Sequence, residues 1–305
     1  MVDWAQWRRL LEQTNDGATQ LLSVQATDRP GLGQEWHIDV AWPATAPPRW
    51  TRFVGRSLSP HTRTMLPALE QFFHTTGIPI ATLHALDIES GLALFAAPEY
   101  PGLLEILTQL KHPWERSALA LTVARALAHL HALPLPQAEA DEGTSYETLV
   151  GTGIASLIER ARTSHAEDAL LRRAADWLEA HMPPTGQLAL CLGDLTPNDI
   201  RLADIDELHT FYGWERAMIF DPTWDVASLL VGTAHAPLGD AELIQFANIF
   251  LAAYAEHAPN MPNALGTFVT ARLMSLLLGR PDVSVQQQTL WREQLAHALR
   301  DHFRT

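Results

Sequence analysis

The amino-acid sequence predicts an α+β protein with two lobes, a smaller strand-rich lobe followed by a larger, mainly helical one. The chain has 305 residues, which exceeds the size at which a single hydrophobic core usually stops growing. Up to about residue 97, short apolar stretches alternate with turn residues, whereas helical periodicity dominates after Pro101 and Gly102. This change gives predicted domains at residues 1–98 and 99–305.

The first lobe is predicted to begin with a helix and to contain five strands, with a second helix between the third and the fourth. Residues 3–14 carry apolar side chains at helical spacing, and Asp3 is placed to cap their start. The second helix covers residues 60–73, and we expect Pro67 to kink or restart it. Turn residues separate the predicted strands, which are LLSVQATD, EWHIDVAW, RWTRFVGRS, IPIATLHAL and GLALFAAP.

The second lobe is predicted to be helical except over residues 187–226, where short apolar runs alternate with loop residues. Residues 136–145, PQAEADEGTS, are polar and turn-rich, as in a surface connection. Gly151 and Gly153 are expected in a loop. The predicted helices cover residues 115–133, 154–181, 241–257, 266–279 and 285–303.

Composition and charge exclude several classes of protein. The hydrophobic content of 47% argues against disorder, and the net charge of −14 argues against nucleic acid and anionic membranes as partners. The single cysteine, Cys191, excludes an internal disulfide and a cysteine-based zinc site. The N-terminal stretch is charged and no long uncharged apolar run follows, so we expect a cytoplasmic protein without a membrane span.

Residues 191–226, CLGDLTPNDIRLADIDELHTFYGWERAMIFDPTWDV, carry the strongest functional signal. GDLTPND follows an apolar strand, a second short strand ends in YGWE, and DPTWD leads into a helix. This order resembles the aminoglycoside phosphotransferase and choline kinase group, which typically shows H-G-D-x-H-P-x-N, then D-W-E, then D-P-x-x-D. The matching positions are Gly193, Asp194, Pro197, Ile200, Trp214, Glu215, Asp221, Pro222, Asp225 and Ala227.

The resemblance extends over roughly residues 20–258. ALAHLHALP (126–134) is similar to the family's helix ending in leucine-histidine, TGIPI (76–80) to the turn after the small lobe's helix, and APEYPG (97–102) to the hinge. The resemblance implies the fold of the protein kinases, with a small antiparallel sheet in the first lobe. It also implies ATP and Mg²⁺ as cofactors and a small-molecule ligand in the cleft between the lobes, and it leaves a protein partner possible.

Individual residues receive roles from the same resemblance. Asp194 occupies the proton-accepting position, and Asp199 falls on the family's metal-binding asparagine. Arg56 is the best-placed substitute for the lysine that grips the phosphates, and Gly31 and Gly33 lie in the segment that would cover the nucleotide.

The resemblance gives structural roles to two further residues, His131 and Asp225. His131 is expected to pack in the core of the second lobe. Asp225 resembles the family aspartate that holds the backbone of the catalytic loop.

The sequence departs from the family pattern at positions that handle metal and phosphate. The aspartate of D-W-E, the principal magnesium ligand, is Gly213, which has no side-chain oxygen. The first histidine is Leu192 and the second is Thr196. The only lysine, Lys111, lies far from the third strand, and the glutamate that should pair with the family's lysine falls near Leu66. Arginine is not an equivalent replacement for that lysine, because its planar guanidinium differs in length and geometry from an ammonium group.

These departures favour a pseudokinase, which keeps the scaffold, has lost or weakened phosphoryl transfer, and acts as a binding or regulatory module. One alternative is an active kinase that phosphorylates a hydroxyl of a small molecule, with Asp194 as base, Asp199 as metal ligand and Arg56 on the phosphates. Another is a cleft repurposed for a non-nucleotide ligand. The fold alone does not decide among them.

Overall fold

The computed structural model divides into two compact units, Met1–Glu99 and Tyr100–Thr305. None of the described helices is both long and apolar enough to cross a membrane. The residues that the structure describes are 4–14, 20–29, 33–42, 49–135, 145–183, 185–234, 236–257, 264–279 and 283–302.

The first unit contains a five-stranded antiparallel sheet with strand order β1-β2-β3-β5-β4. The second helix lies in sequence between the third and the fourth strands, which confirms the prediction for this region. The elements are α1 (Trp4–Thr14), β1 (Gln20–Arg29), β2 (Gly33–Trp42), β3 (Arg49–Ser57), α2 (Pro60–Thr76), β4 (Leu83–Asp87) and β5 (Leu92–Ala96).

The core of the first unit forms where α1 packs on the sheet. Trp7 is completely buried, and its ring centroid lies 5.4 Å from that of Trp36 on β2. Gly55 on β3 makes room for this packing, because a Cβ at Gly55 would overlap the Trp7 ring and lie 2.8 Å from the Cδ1 of Ile38. Each large apolar side chain buried in this way contributes about 1.5–3 kcal/mol relative to exposure. The amphipathic pattern of α1 therefore fixes the helix on the sheet.

The prediction that Pro67 interrupts the second helix is wrong, because α2 continues through it. Pro67 is exposed, whereas Leu66, Leu69 and Phe73 are buried on the other side of the helix. A proline removes one backbone donor and frees the carbonyl four residues earlier. On the exposed side water can solvate that carbonyl, and the buried side chains hold the helix together.

The second unit is mainly helical and has two small antiparallel sheets, in which β6 pairs with β9 and β7 with β8. Its helices are α3 (Leu103–Gln109), α4 (Pro113–His131), α5 (Thr152–Ser164), α6 (Ala169–Ala180), α7 (Thr223–Thr233), α8 (Asp240–His257), α9 (Leu265–Gly279) and α10 (Val285–His302). Its strands are β6 (Ala189–Cys191), β7 (Ile200–Asp204), β8 (Glu207–Phe211) and β9 (Met218–Phe220).

The single helix predicted over residues 154–181 is two helices in the structure. The break falls between Ser164 and Ala169, and Asp168 caps the second helix by accepting hydrogen bonds from the backbone N–H groups of Leu170 and Leu171. Aspartate is a favoured N-cap residue, so Asp168 was the signal for this boundary.

Three other boundaries differ from the prediction. Gly151 ends a π-helical turn and Gly153 lies in α5, so neither is in a loop. Helix α3 was not predicted, because its seven residues are too few to show a clear period. Strand β4 begins at Leu83, five residues later than predicted from residue 78. The proposed surface connection at residues 136–145 lies outside the described residues except for Ser145.

Candidate functional site

The turn after β6 carries the first two residues of the catalytic-loop motif and is held by a buried carboxylate. The backbone N–H of Leu192 donates to Asp225 Oδ2 at 2.6 Å, and the N–H of Gly193 donates to Asp225 Oδ1 at 3.1 Å. Asp225 has no exposed surface. Hydrogen bonds from backbone amides to a carboxylate are among the strong ones. The geometry therefore fits the structural role expected for Asp225.

The same carboxylate joins a buried network that extends to α4 and α8. His131 Nε2 lies 3.2 Å from Asp225 Oδ2, and His131 Nδ1 lies 2.7 Å from the hydroxyl of Tyr254. The thiol of Cys191 donates to the carbonyl oxygen of Asp221 at 3.5 Å. Burial of His131 in this network agrees with the packing role predicted for it.

His131, Cys191 and Asp225 also offer metal-type ligand atoms that lie within 4.8 Å of one another. Both oxygens of Asp225 already accept backbone hydrogen bonds. Burial raises the pKa of the Cys191 thiol well above its ordinary value, and the nearby acids Asp225 and Asp221 add to the shift. A thiol binds metals as the thiolate, so this cluster is a hydrogen-bonded structural network.

Asp194, the predicted proton acceptor, forms an ion pair with an arginine from a distant helix. Arg272 Nη1 on α9 lies 2.5 Å from Asp194 Oδ1, with the Asp194 side chain 41% exposed and that of Arg272 only 4% exposed. The guanidinium carbon of Arg272 lies 5.6 Å from the ring centroid of Trp224, and Trp224 Nε1 donates to the carbonyl oxygen of Gly193 at 2.7 Å. The side chain of Arg272 is therefore held by packing against Trp224 as well as by its charge pair with Asp194.

The sequence analysis missed Arg272. A signal was present, since Arg272 is the one charged residue in the apolar α9 sequence LGTFVTARLMSLLLG. A charged side chain in a buried helix needs a partner, although the sequence does not say which.

Asp199 is completely buried at the end of a short 3₁₀ turn, Pro197–Asp199. Its Oδ2 accepts hydrogen bonds from the backbone N–H of Thr196 at 2.9 Å and from the Thr196 hydroxyl at 2.6 Å. Nη2 of Arg216 lies 3.3 Å from the same oxygen. Thr196 stands where the family has its second histidine, and here it caps the turn.

Gly213 stands beside this ion pair in a conformation that favours glycine. Its φ is +77°, in the left-handed region. A Cβ built on Gly213 would overlap Nη2 of Arg216 and would lie 2.9 Å from the Cζ of Arg216 and 3.3 Å from Asp199 Oδ1. The Arg216 guanidinium therefore occupies the space into which a side chain at position 213 would extend.

These residues do not fit a magnesium ion. Mg²⁺ prefers near-octahedral oxygen ligands, but position 213 offers no side-chain oxygen and Asp199 Oδ2 already binds the cationic Arg216. The carboxylate of Asp194 is likewise paired with Arg272. The assignment of Asp199 as a metal ligand stays a prediction drawn from the resemblance.

In the first unit, Arg56 is also paired internally. Its Nη2 lies 3.1 Å from Glu35 Oε2, directly across the β2–β3 ladder, and both residues are buried. The guanidinium carbon lies 5.5 Å from the Phe95 ring centroid. On α2, Leu66 is completely buried, and Glu70 has His74 within 3.9 Å. The carboxylate beside Arg56 thus comes from a neighbouring strand.

The predicted nucleotide-covering glycines are only partly described. Gly33 begins β2 and pairs with Arg29 on β1, so the two strands form a hairpin. Gly31 lies outside the described residues. Their proposed role in covering a nucleotide stays a prediction.

Comparison with known proteins identifies the family. The sequence matches the model of the phosphotransferase enzyme family over residues 64–265. None of the curated proteins matches the sequence significantly. The matched residues include the whole stretch 191–226 that carries the motif order.

Solved structures give the fold. A protein from Ralstonia eutropha JMP134, provisionally described as an aminoglycoside phosphotransferase, is 15% identical with a TM-score of 0.67, covering 97% of this chain and 96% of its own. Choline kinase LicA from Streptococcus pneumoniae is 14% identical with a TM-score of 0.64, covering 97% and 99%. The GDP complex of aminoglycoside 2'-phosphotransferase-IIIa is 16% identical with a TM-score of 0.62, covering 98% of each chain. This chain therefore belongs to the phosphotransferase enzyme family and has the protein-kinase-like fold of the aminoglycoside phosphotransferases and choline kinase.

Proposed function

We propose that this protein binds a small-molecule ligand with phosphoryl transfer lost or strongly weakened, and that it acts as a binding or regulatory module. The observation that carries the proposal is Gly213, which stands at the principal metal-ligand position and has Arg216 in the space of its absent side chain. Phosphoryl transfer requires positioning and neutralisation of phosphate charge, most of which metal ions supply in this type of reaction. A site that cannot hold the ion loses the main source of that neutralisation.

The state of the other charged residues supports the same proposal. Each charged residue predicted for the site forms an ion pair with a residue of its own unit: Arg56 with Glu35, Asp194 with Arg272, and Asp199 with Arg216. Arg272 Nη1 is hydrogen-bonded to Asp194 Oδ1, so one of the two oxygens that could receive a proton from a hydroxyl group is already occupied.

An active small-molecule kinase is the alternative that a specific observation favours. Asp194 is kept at its motif position, Asp199 offers carboxylate oxygens where the family has asparagine, and the side chain of Asp194 is 41% exposed. The net charge of −14 would suit a cationic acceptor such as an aminoglycoside or an amino-alcohol. Structures of proteins with similar folds contain AMP and GDP, so nucleotide binding is compatible with both hypotheses.

The deciding experiment measures ADP release by the full chain with ATP and Mg²⁺ against a panel of aminoglycosides and amino-alcohols. The matched control is Asp194→Asn, which removes the proposed base and keeps the shape of the side chain. We expect no turnover above the level of this control. Metal-dependent turnover that disappears in Asp194→Asn would overturn the proposal and establish the active kinase.

Thermal unfolding with ATP, ADP and GTP then separates the two kinds of binding module. A concentration-dependent rise in the melting temperature identifies a nucleotide ligand, because a ligand that binds only the folded state stabilises it. If none of the three nucleotides raises the melting temperature, the ligand is of another class, and mass spectrometry of molecules that co-purify with the protein is the next measurement.

A further inference from the structure

We propose that the Arg216 guanidinium has replaced a divalent cation in this protein, so that the position between residues 199 and 213 neither binds nor requires a metal. This inference goes beyond the loss of transfer, because it identifies the group that now neutralises the buried acid. It predicts that the folded state is indifferent to magnesium and to chelators.

Position is the first argument. A Cβ at Gly213 would lie 3.3 Å from Asp199 Oδ1, so a carboxylate at position 213 would stand next to the carboxylate of Asp199. Two carboxylates that close repel each other unless a cation lies between them. The guanidinium of Arg216 lies at that place, since it overlaps the space of the Cβ and contacts Asp199.

Charge is the second argument. Asp199 is completely buried, and a buried carboxylate is costly unless it is paired and hydrogen-bonded. Thr196 supplies two hydrogen bonds but no charge. Arg216 supplies the positive charge, and its side chain is 19% exposed. A guanidinium stays charged in proteins, so Arg216 gives this carboxylate a counter-charge from the chain itself.

Space is the third argument, because the two groups compete for one position. An aspartate at position 213 and the observed position of the Arg216 guanidinium overlap. A ligand set completed at position 213 therefore requires that this guanidinium leave its observed position or that residue 216 be small. The two positions are three residues apart, on the short 3₁₀ turn Trp214–Arg216 and the residue that caps it.

The test uses Mn²⁺ as the probe, with binding followed by electron paramagnetic resonance on the full chain. We expect no Mn²⁺ binding that depends on Asp199 in the natural protein, and equal melting temperatures in magnesium and in a chelator. Gly213→Asp alone should lower the melting temperature and bind no Mn²⁺. The double variant Gly213→Asp with Arg216→Ala should melt above the single Gly213→Asp variant and bind Mn²⁺.

The control is Gly213→Asn with Arg216→Ala, which has the same backbone strain and nearly the same volume but no carboxylate. It should not bind Mn²⁺, and adding Asp199→Asn to the Gly213→Asp double variant should abolish binding. Mn²⁺ binding by the natural protein that is lost in Asp199→Asn would overturn the inference. So would a folded double variant that binds no Mn²⁺, or a Gly213→Asp single variant that binds as well as the double.

These outcomes are separable from a failure of the proposed function. Turnover of ATP that persists in a chelator would contradict the loss of transfer and leave the replacement of the metal by Arg216 standing. Mn²⁺ binding that depends on Asp199, without turnover of ATP, would contradict the replacement of the metal by Arg216 and leave the loss of transfer standing.

Discussion

The ion pair between Asp194 and Arg272 predicts that stability responds asymmetrically to removal of its two members. Replacing Asp194 with alanine leaves the Arg272 guanidinium without its carboxylate, in a side chain that is only 4% exposed. Breaking a fully buried pair costs about 3–5 kcal/mol, and breaking a surface pair costs about 0–1 kcal/mol. Because Asp194 is 41% exposed, the pair lies between these limits, and we expect Asp194→Ala to lose roughly 2 kcal/mol.

The reverse substitution should cost less. Arg272→Met leaves the carboxylate of Asp194 in contact with water, because the Asp194 side chain is 41% exposed. Methionine can fill the apolar space beside Trp224. The lost interaction of the guanidinium with the Trp224 ring costs roughly 0.5–1 kcal/mol. We therefore expect Arg272→Met to lose roughly 1 kcal/mol, less than Asp194→Ala.

The assay is thermal unfolding followed by circular dichroism, with urea unfolding as a second measure. For a domain of this size, a loss of roughly 2 kcal/mol lowers the melting temperature by roughly 4–8 °C. Asp194→Asn is the matched control, because its amide oxygen can still accept a hydrogen bond from Arg272, and it should fall between the natural protein and Asp194→Ala. Replacing a residue whose role is functional often makes the protein more stable, whereas the ion pair predicts a loss here. An Asp194→Ala variant as stable as the natural protein, or less destabilised than Arg272→Met, would refute the reasoning.

Three further predictions concern packing, charge and pH. Gly55→Ala places a methyl group against the ring of Trp7, which α1 buries on the sheet. It should lower the free energy of unfolding, measured with urea, by about 1–3 kcal/mol. No loss would mean that α1 can shift. Glu35→Ala removes the carboxylate that the buried Arg56 contacts and should destabilise by about 3 kcal/mol. Glu35→Gln, which keeps an acceptor oxygen, should lose less, and equal losses would show that this hydrogen bond does not contribute to stability. Burial raises the pKa of Tyr146, and the hydrogen bond of its hydroxyl to Asp221 raises it further. The phenol therefore stays protonated in the folded protein above the ordinary tyrosine pKa of about 10. In the unfolded chain this phenol ionises near its ordinary pKa, so the unfolded state is favoured as pH rises. The melting temperature should fall above about pH 10, and the fall should be smaller in Tyr146→Phe. Equal slopes of melting temperature against pH in the two proteins would contradict this account.

The sequence predicted the fold well because the motif order in residues 191–226 fixes the register of several elements at once. Asp225 is the clearest case, since its resemblance to the family aspartate that holds the catalytic loop implied the backbone contacts that the structure contains. Local patterns also located α2, but they could not show that Pro67 lies on an exposed side where a continuous helix tolerates it.

The partners of the charged site residues could not be predicted in the same way. Arg272 is separated from Asp194 by 78 residues and Arg216 from Asp199 by 17. No local period links such positions, because the contacts arise only when distant elements pack together. Gly213 could be identified as a missing ligand from the motif, whereas the guanidinium that fills its place is visible only in three dimensions.

The close approach of Arg216 to Gly213 also makes the effects of substitutions at these two positions interdependent. An acid placed at position 213 alone meets the Arg216 guanidinium, and a small residue placed at position 216 alone removes the cation that contacts the buried carboxylate of Asp199. Each single substitution is thus costly while the other natural residue is kept, whereas the two together are sterically compatible. Such sign epistasis means that a library of variants changed at one position at a time would miss this pair.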